Sequence, residues 1–193
     1  MGKLGRVVLI AGLILVVVFG VQSCTRYNRI VAADEEVKTA WAQVQTVLKR
    51  RADLIPNLVA TVKGFAAQEK EVLVAVTEAR AKVGGAGTIA QQVEANTALS
   101  SALGRLMVVV ERYPELKSNQ NFLQLQDELA GAENRIAVER RRYNLAVKSY
   151  NLEIRRFPGN IYASLFGFGP ATPFEAPESD QEPPKVDFKG AKG

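Results

Sequence analysis

The sequence predicts an all-α protein: an antiparallel bundle of four long helical segments behind an N-terminal membrane segment. Three observations carry this. Apolar residues fall on interleaved seven-residue series through most of the chain, which lays one stripe of each helix against its neighbours. Gly and Pro divide that pattern into long pieces. An uncharged run, VVLIAGLILVVVFGV from Val7 to Val21, precedes all of it.

The run comes first in the chain, after the positive stretch Met1–Arg6. A spanning helix needs about 20 apolar residues and a signal core about 7–15, so the run sits between the two. Counted from Leu4, with Arg6 reaching for the headgroups, it is long enough to span. Val21-Gln22-Ser23-Cys24 resembles the lipobox of bacterial lipoproteins, where the chain is cut before an acylated Cys. Gln22 departs from the usual small or aliphatic residue. Cys24 is thus the lipidation candidate, with an uncleaved signal anchor as the equal alternative. Either expectation makes residues 1–24 a single anchor in a bacterial membrane. The positive charge before the run leans towards a domain on the extracytoplasmic side.

The first two helical segments are expected over 28–53 and 56–82. Val37, Val44, Leu58, Phe65 and Val72 form one heptad series; Trp41, Leu48, Ile55, Val62 and Val76 form its companion. Pro56 lies between the segments. The unbroken phase argues for one helix kinked there, and the matched segment lengths, roughly 40 Å each, argue for a turn. The turn is the expectation, narrowly. Arg51 and Glu69 occupy stripe positions. A charge there must be paired or reach water, because desolvating it alone costs several kcal/mol. A snorkelling side chain and a polar layer that fixes register are equal alternatives.

Gly84-Gly85-Ala86-Gly87 closes the second segment. It lacks the Lys-Ser/Thr of a phosphate-binding loop, so it reads as a turn. Thr88 caps a third segment, 88–112, whose stripe includes Asn96. The fourth runs over 119–157, with Phe122, Leu129, Ile136, Tyr143, Tyr150 and Phe157 each seven apart. Glu139 faces its stripe. Arg50 or Arg51 is expected to pair with Glu139 or Glu69. Arg140, Arg141, Arg142, Arg155 and Arg156 make this segment basic, which suits a solvated face or a lipid headgroup contact. After the turn at Pro158-Gly159, IYASLFGF from Ile161 to Phe168 is apolar but too short to span, and must be covered by protein or lipid. Phe157, Phe166 and Phe168 join the basic residues as partner or lipid contact candidates. Residues 169–193 read as a flexible Pro/Glu/Gly-rich tail, in which Pro184–Phe188 is a candidate docking segment. The bundle is therefore expected over 25–168.

Composition excludes much chemistry. There is no His and one Cys, which removes imidazole acid–base catalysis, Ser-His and Cys-His nucleophiles and most zinc sites. No enzyme activity, metal or cofactor is expected. The net charge of +5 favours anionic membrane surfaces and gives no support to nucleic-acid binding.

Several stretches together resemble the LemA family. They are Tyr27-Asn28, Ala40-Trp41, Lys49–Val59 with Arg50, Arg51, Asp53, Pro56 and Asn57, and Thr61–Phe65. They continue with Glu78–Arg80, Leu103–Leu106, Tyr113-Pro114, Arg141–Asn144, Tyr150-Asn151 and Arg156–Pro158. The resemblance implies a four-helix bundle of the bromodomain-like kind, no established enzymatic activity, and in some members a lipobox. Family members are often encoded near membrane proteases or TPM-domain proteins, which implies envelope maintenance. The expected function is structural, scaffolding or partner-binding at the cell envelope, as a homo-oligomer or with an envelope protein. The alternative is a lipid- or ligand-sensing module that uses the basic last helix.

Overall fold

A computed structural model describes residues 2–174 and, within 3–19, the side chains of residues 10, 12–14 and 17. The described residues hold α-helices and no strand. The elements are α1 (Lys3–Phe65), α2 (Lys70–Gly85), α3 (Ile89–Val110), the single turn α4 (Pro114–Lys117), α5 (Gln120–Arg155) and α6 (Gly159–Phe166). Among the described residues, no helix is long and apolar enough to cross a membrane.

The turn expected at Pro56 is absent. α1 passes through Pro56 without a break, and the chain turns at Ala66–Glu69 instead. Proline has no N–H to offer the carbonyl four residues back, which is that of Ala52. Arg80 of α2 supplies the missing donor: its Nε lies 3.1 Å from the Ala52 oxygen. The heptad phase across Pro56 was therefore the better guide than segment length. Phe65, placed on the stripe by that phase, is exposed because the helix ends there.

The described residues divide into two compact units, one of residues 2–47 with 135–173, the other of residues 48–134 with Phe174. In the 48–134 unit, α2 packs on α3, and Ile55, Leu58, Val62, Val76, Leu99, Leu106, Leu116 and Phe122 are buried at its core. Thr88 caps α3 with a capping box: its side chain accepts from the Gln91 N–H while Gln91 Oε1 accepts from the Thr88 N–H. In the other unit, α1 and α5 run antiparallel: the Trp41 ring lies 5.3 Å from that of Tyr143, and Asp34 is within electrostatic reach of Tyr150. Ile30, Val37, Val44, Ile136, Val147 and Ile154 fill that interface. The Phe157–Pro158 peptide is cis. Gly159 follows it, where any Cβ would collide with the Glu153 carbonyl oxygen. Gly167 closes α6 in the left-handed region, φ 76°.

The tail expected to be free from Gly169 is not free at its start. Residues 169–172 lie along α5, held by side chains of that helix. Pro184–Phe188 falls outside the described residues.

Candidate functional site

Two polar arrangements stand out, one in each unit. The first centres on Arg51. Its heptad position turns it inwards from α1, and only 6% of the residue is exposed. Its Nη1 donates to Asn96 Oδ1 at 2.9 Å and Ser100 Oγ at 3.0 Å on α3, and lies 2.9 Å from Glu133 Oε2 on α5. Two hydrogens serve three acceptors there. Nε is buried with no hydrogen-bond partner. Burial pulls the guanidinium pKa down and the Glu133 carboxylate opposes this; the ordinary value is so high that the charge persists. Arg51 thus ties three helices through a single nitrogen, and Asn96 is buried beside it.

The partners differ from those the stripe positions implied. Glu69 accepts from Arg112 Nη2 at 3.0 Å and from the Tyr113 hydroxyl at 2.8 Å, and that bond raises the Tyr113 pKa. Glu139 pairs within its own helix with Arg142, at 2.8 Å. Arg50, Asp53, Pro56 and Asn57 are exposed on α1. Glu133 was not singled out because it flanks the stripe; its long side chain reaches in from a half-exposed position.

The second arrangement is a ladder on α5. The Tyr143 hydroxyl donates to the Thr172 carbonyl at 2.7 Å and the Tyr150 hydroxyl to the Gly169 carbonyl at 2.8 Å. Asn151 does both jobs for Ala171: Nδ2 donates to its carbonyl at 2.8 Å, and Oδ1 accepts from its N–H at 2.9 Å. Every contact reads main chain. Burial raises the pKa of both tyrosines, with the Asp34 charge adding to the rise at Tyr150. The Tyr-Asn repeat was legible as a seam feature; its partner, residues 169–172, was not.

The basic candidates lie outside both arrangements. Arg141, Arg142, Arg155 and Arg156 are exposed, Arg140 half-buried. Phe157, placed on the α5 stripe, is 80% exposed because α5 ends at Arg155. Phe166 stacks edge-on against Tyr27, ring centroids 4.8 Å apart, with Phe168 at 6.0 Å. Cys24 is an exposed free thiol. No group of three or more metal-ligating side chains occurs among the described residues.

The LemA family profile matches residues 40–188. The chain belongs to the LemA family. Its matched part holds the whole Arg51 layer and the whole Tyr143–Asn151 ladder. Magnetosome protein MamQ 2 of Paramagnetospirillum magneticum is 30% identical, over 92% of this chain and 77% of that protein. Magnetosome protein MamQ of Magnetospirillum gryphiswaldense is 27% identical over 74% and 62%. Protein LemA of Metamycoplasma hominis is 27% identical over 81% and 72%. None of these names states a reaction.

Proposed function

We propose that this LemA-family chain is a membrane-anchored helical interaction protein of the bacterial envelope, with no catalytic role. Residues 1–24 anchor it, residues 25–168 form the interacting body on the extracytoplasmic side, and the remainder is a tail. One observation carries the reading. Ile10, Leu13, Ile14, Val17 and Val21 are all more than half exposed on a helix continuous with the folded body. Water does not tolerate such a surface on a monomer, and lipid does. Alkaline extraction of membranes carrying the full chain tests it: the chain stays with the bilayer, and release into the soluble fraction would overturn the reading.

The anchor is retained in this proposal rather than cut before Cys24. Ser23 Oγ lies 2.7 Å from the Tyr162 hydroxyl, a contact that cleavage would remove. The intact mass of the membrane form then corresponds to an uncleaved N-terminus. A mass starting at an acylated Cys24 would refute this.

The interaction surface is the outer face of α5. Val138, Leu145 and Leu152, seven residues apart, are all exposed. That spacing suits a helix of a second chain. In a Cys24→Ser background, Leu145→Cys gives disulfide-linked dimers in membranes, and a strict monomer counts against the proposal. A lipid- or ligand-sensing reading is favoured by one feature, a shallow groove on α5 lined by Arg140, Arg141, Leu145 and Lys148. It requires salt-sensitive binding to anionic vesicles.

A further inference from the structure

α6 is built the wrong way round for water. It buries its small residues, Gly159 and Ala163, and exposes its large apolar ones: Ile161 at 53%, Leu165 at 72% and Phe166 at 54%. Ile161 and Leu165 stand four apart and share a face. Phe157, in the preceding turn, is exposed as well. A surface helix in water shows the opposite pattern.

The placement of α6 says what covers it. Tyr162 is hydrogen-bonded to Ser23, and Phe166 lies against Tyr27. α6 therefore follows α1 in the same direction over residues 23–27, the first turns beyond the apolar run that ends at Val21. That run, Val7–Val21, rises about 22 Å as a helix, short of the roughly 30 Å of a hydrocarbon core. The apolar residues of α6 lie just where the run stops. Arg26 and Arg29 on α1, Arg155 at the end of α5 and Arg156 just after it are exposed or nearly so, and their charge complements anionic headgroups. Tyr27 and Tyr162 are the aromatic type that favours such a boundary.

We infer that α6 is a foot on the membrane surface, with Ile161, Leu165 and Phe157 seated among the headgroups and outer acyl chains beside the anchor. The inference rests on the proposed anchor, and its test separates the two. The full chain in a Cys24→Ser background receives a single cysteine by Ile14→Cys, Ile161→Cys, Leu165→Cys or, as a control on the exposed side of α1 well beyond the apolar run, Ala42→Cys. Each cysteine is labelled with an environment-sensitive fluorophore. The chains are reconstituted into phosphatidylcholine–phosphatidylglycerol vesicles with and without doxyl-labelled lipid.

Labels at 14, 161 and 165 shift to the blue and lose emission to the doxyl lipid, and the label at 42 does neither. A quenched label at 14 with unquenched labels at 161 and 165 overturns the foot and leaves the anchor standing. Labels at 161 and 165 that shift to the blue without quenching mean that a second protein chain covers α6, which also overturns it. An unquenched label at 14 removes the anchor and the foot together. All four sites are exposed apolar positions, so the cysteines leave the core intact, and matching circular dichroism confirms the fold.

Discussion

The two units solve the same problem with different chemistry. Each carries polar side chains at heptad positions that ought to be apolar. The 48–134 unit buries a charge, Arg51, and surrounds it with Asn96, Ser100 and Glu133. In the other unit the Tyr143, Tyr150 and Asn151 side chains bond to the main chain of 169–172. The difference lies in what a failure costs. A buried guanidinium that loses its partner keeps its charge, whereas a tyrosine that loses a carbonyl leaves a neutral hydroxyl and a chain segment that water can solvate. The charged layer therefore specifies which helices meet, and the neutral ladder fastens an otherwise loose segment of chain.

The largest effect follows from breaking the charged layer. Glu133→Ala leaves the Arg51 charge with only the neutral acceptors Asn96 and Ser100, and unfolding in urea registers a loss of about 3 kcal/mol, the low end for a buried pair because those bonds remain and Glu133 is half exposed. Replacing Arg51, Asn96 and Glu133 together by Met, Leu and Leu recovers most of that loss, since an apolar layer of similar volume needs no partner. If the triple variant is as unstable as the single one, the layer stabilises through packing rather than through charge, and the contrast between the units fails.

Asn151→Ala comes next. It removes two hydrogen bonds to Ala171 and costs about 2 kcal/mol at most, because water replaces part of what is lost. The sharper readout is local. The Ala171 amide loses its protection in hydrogen exchange, while amides of α2 and α3 keep theirs. A uniform loss across both units would mean that residues 169–172 are integral to folding and not fastened afterwards.

How much of this was readable in the sequence follows the same divide. Period-seven runs gave the helices, their buried faces and the anomaly of Arg51, because helical periodicity is local and repeats. Partner choice was not legible. Arg51 to Asn96, Asn151 to Ala171 and Arg80 to Ala52 join residues many positions apart. Nothing in the local pattern distinguishes Glu133 from Glu139. Pro56 misled for the same reason: its cost is offset from α2, outside any window centred on the proline. The break at Ala66–Glu69 contains no Gly or Pro and carried no signal. The ends of α5 and α1 left Phe157 and Phe65 exposed where the periodicity had counted them as core.

Arg80 offers a smaller test, since its side chain serves a distant main-chain carbonyl within the Arg51 unit, as the ladder's side chains do in theirs. Arg80→Met uncovers the Ala52 carbonyl and costs about 1 kcal/mol. In a Pro56→Ala background the new N–H at position 56 takes that carbonyl, and the same substitution costs a few tenths at most. Equal costs in the two backgrounds would show that Arg80 acts through packing instead.

The smallest effect at neutral pH, and the most selective, comes from titration. Tyr143 and Tyr150 have pKa values raised by burial, so the folded state holds their protons more tightly than the unfolded chain does. The stability they contribute is fully present below the unfolded value of about 10 and is lost as pH rises through the raised values. The direction matches the chemistry, because a phenolate cannot donate to Thr172 or Gly169. Tyr143→Phe with Tyr150→Phe should flatten the alkaline fall in stability. Tyr113→Phe should flatten it less, since that pKa is raised chiefly by a hydrogen bond to Glu69 at a partly exposed site. An alkaline slope untouched by the double substitution would show that the ladder's hydroxyls titrate alike in the folded and unfolded chains, and would remove the neutral half of the contrast.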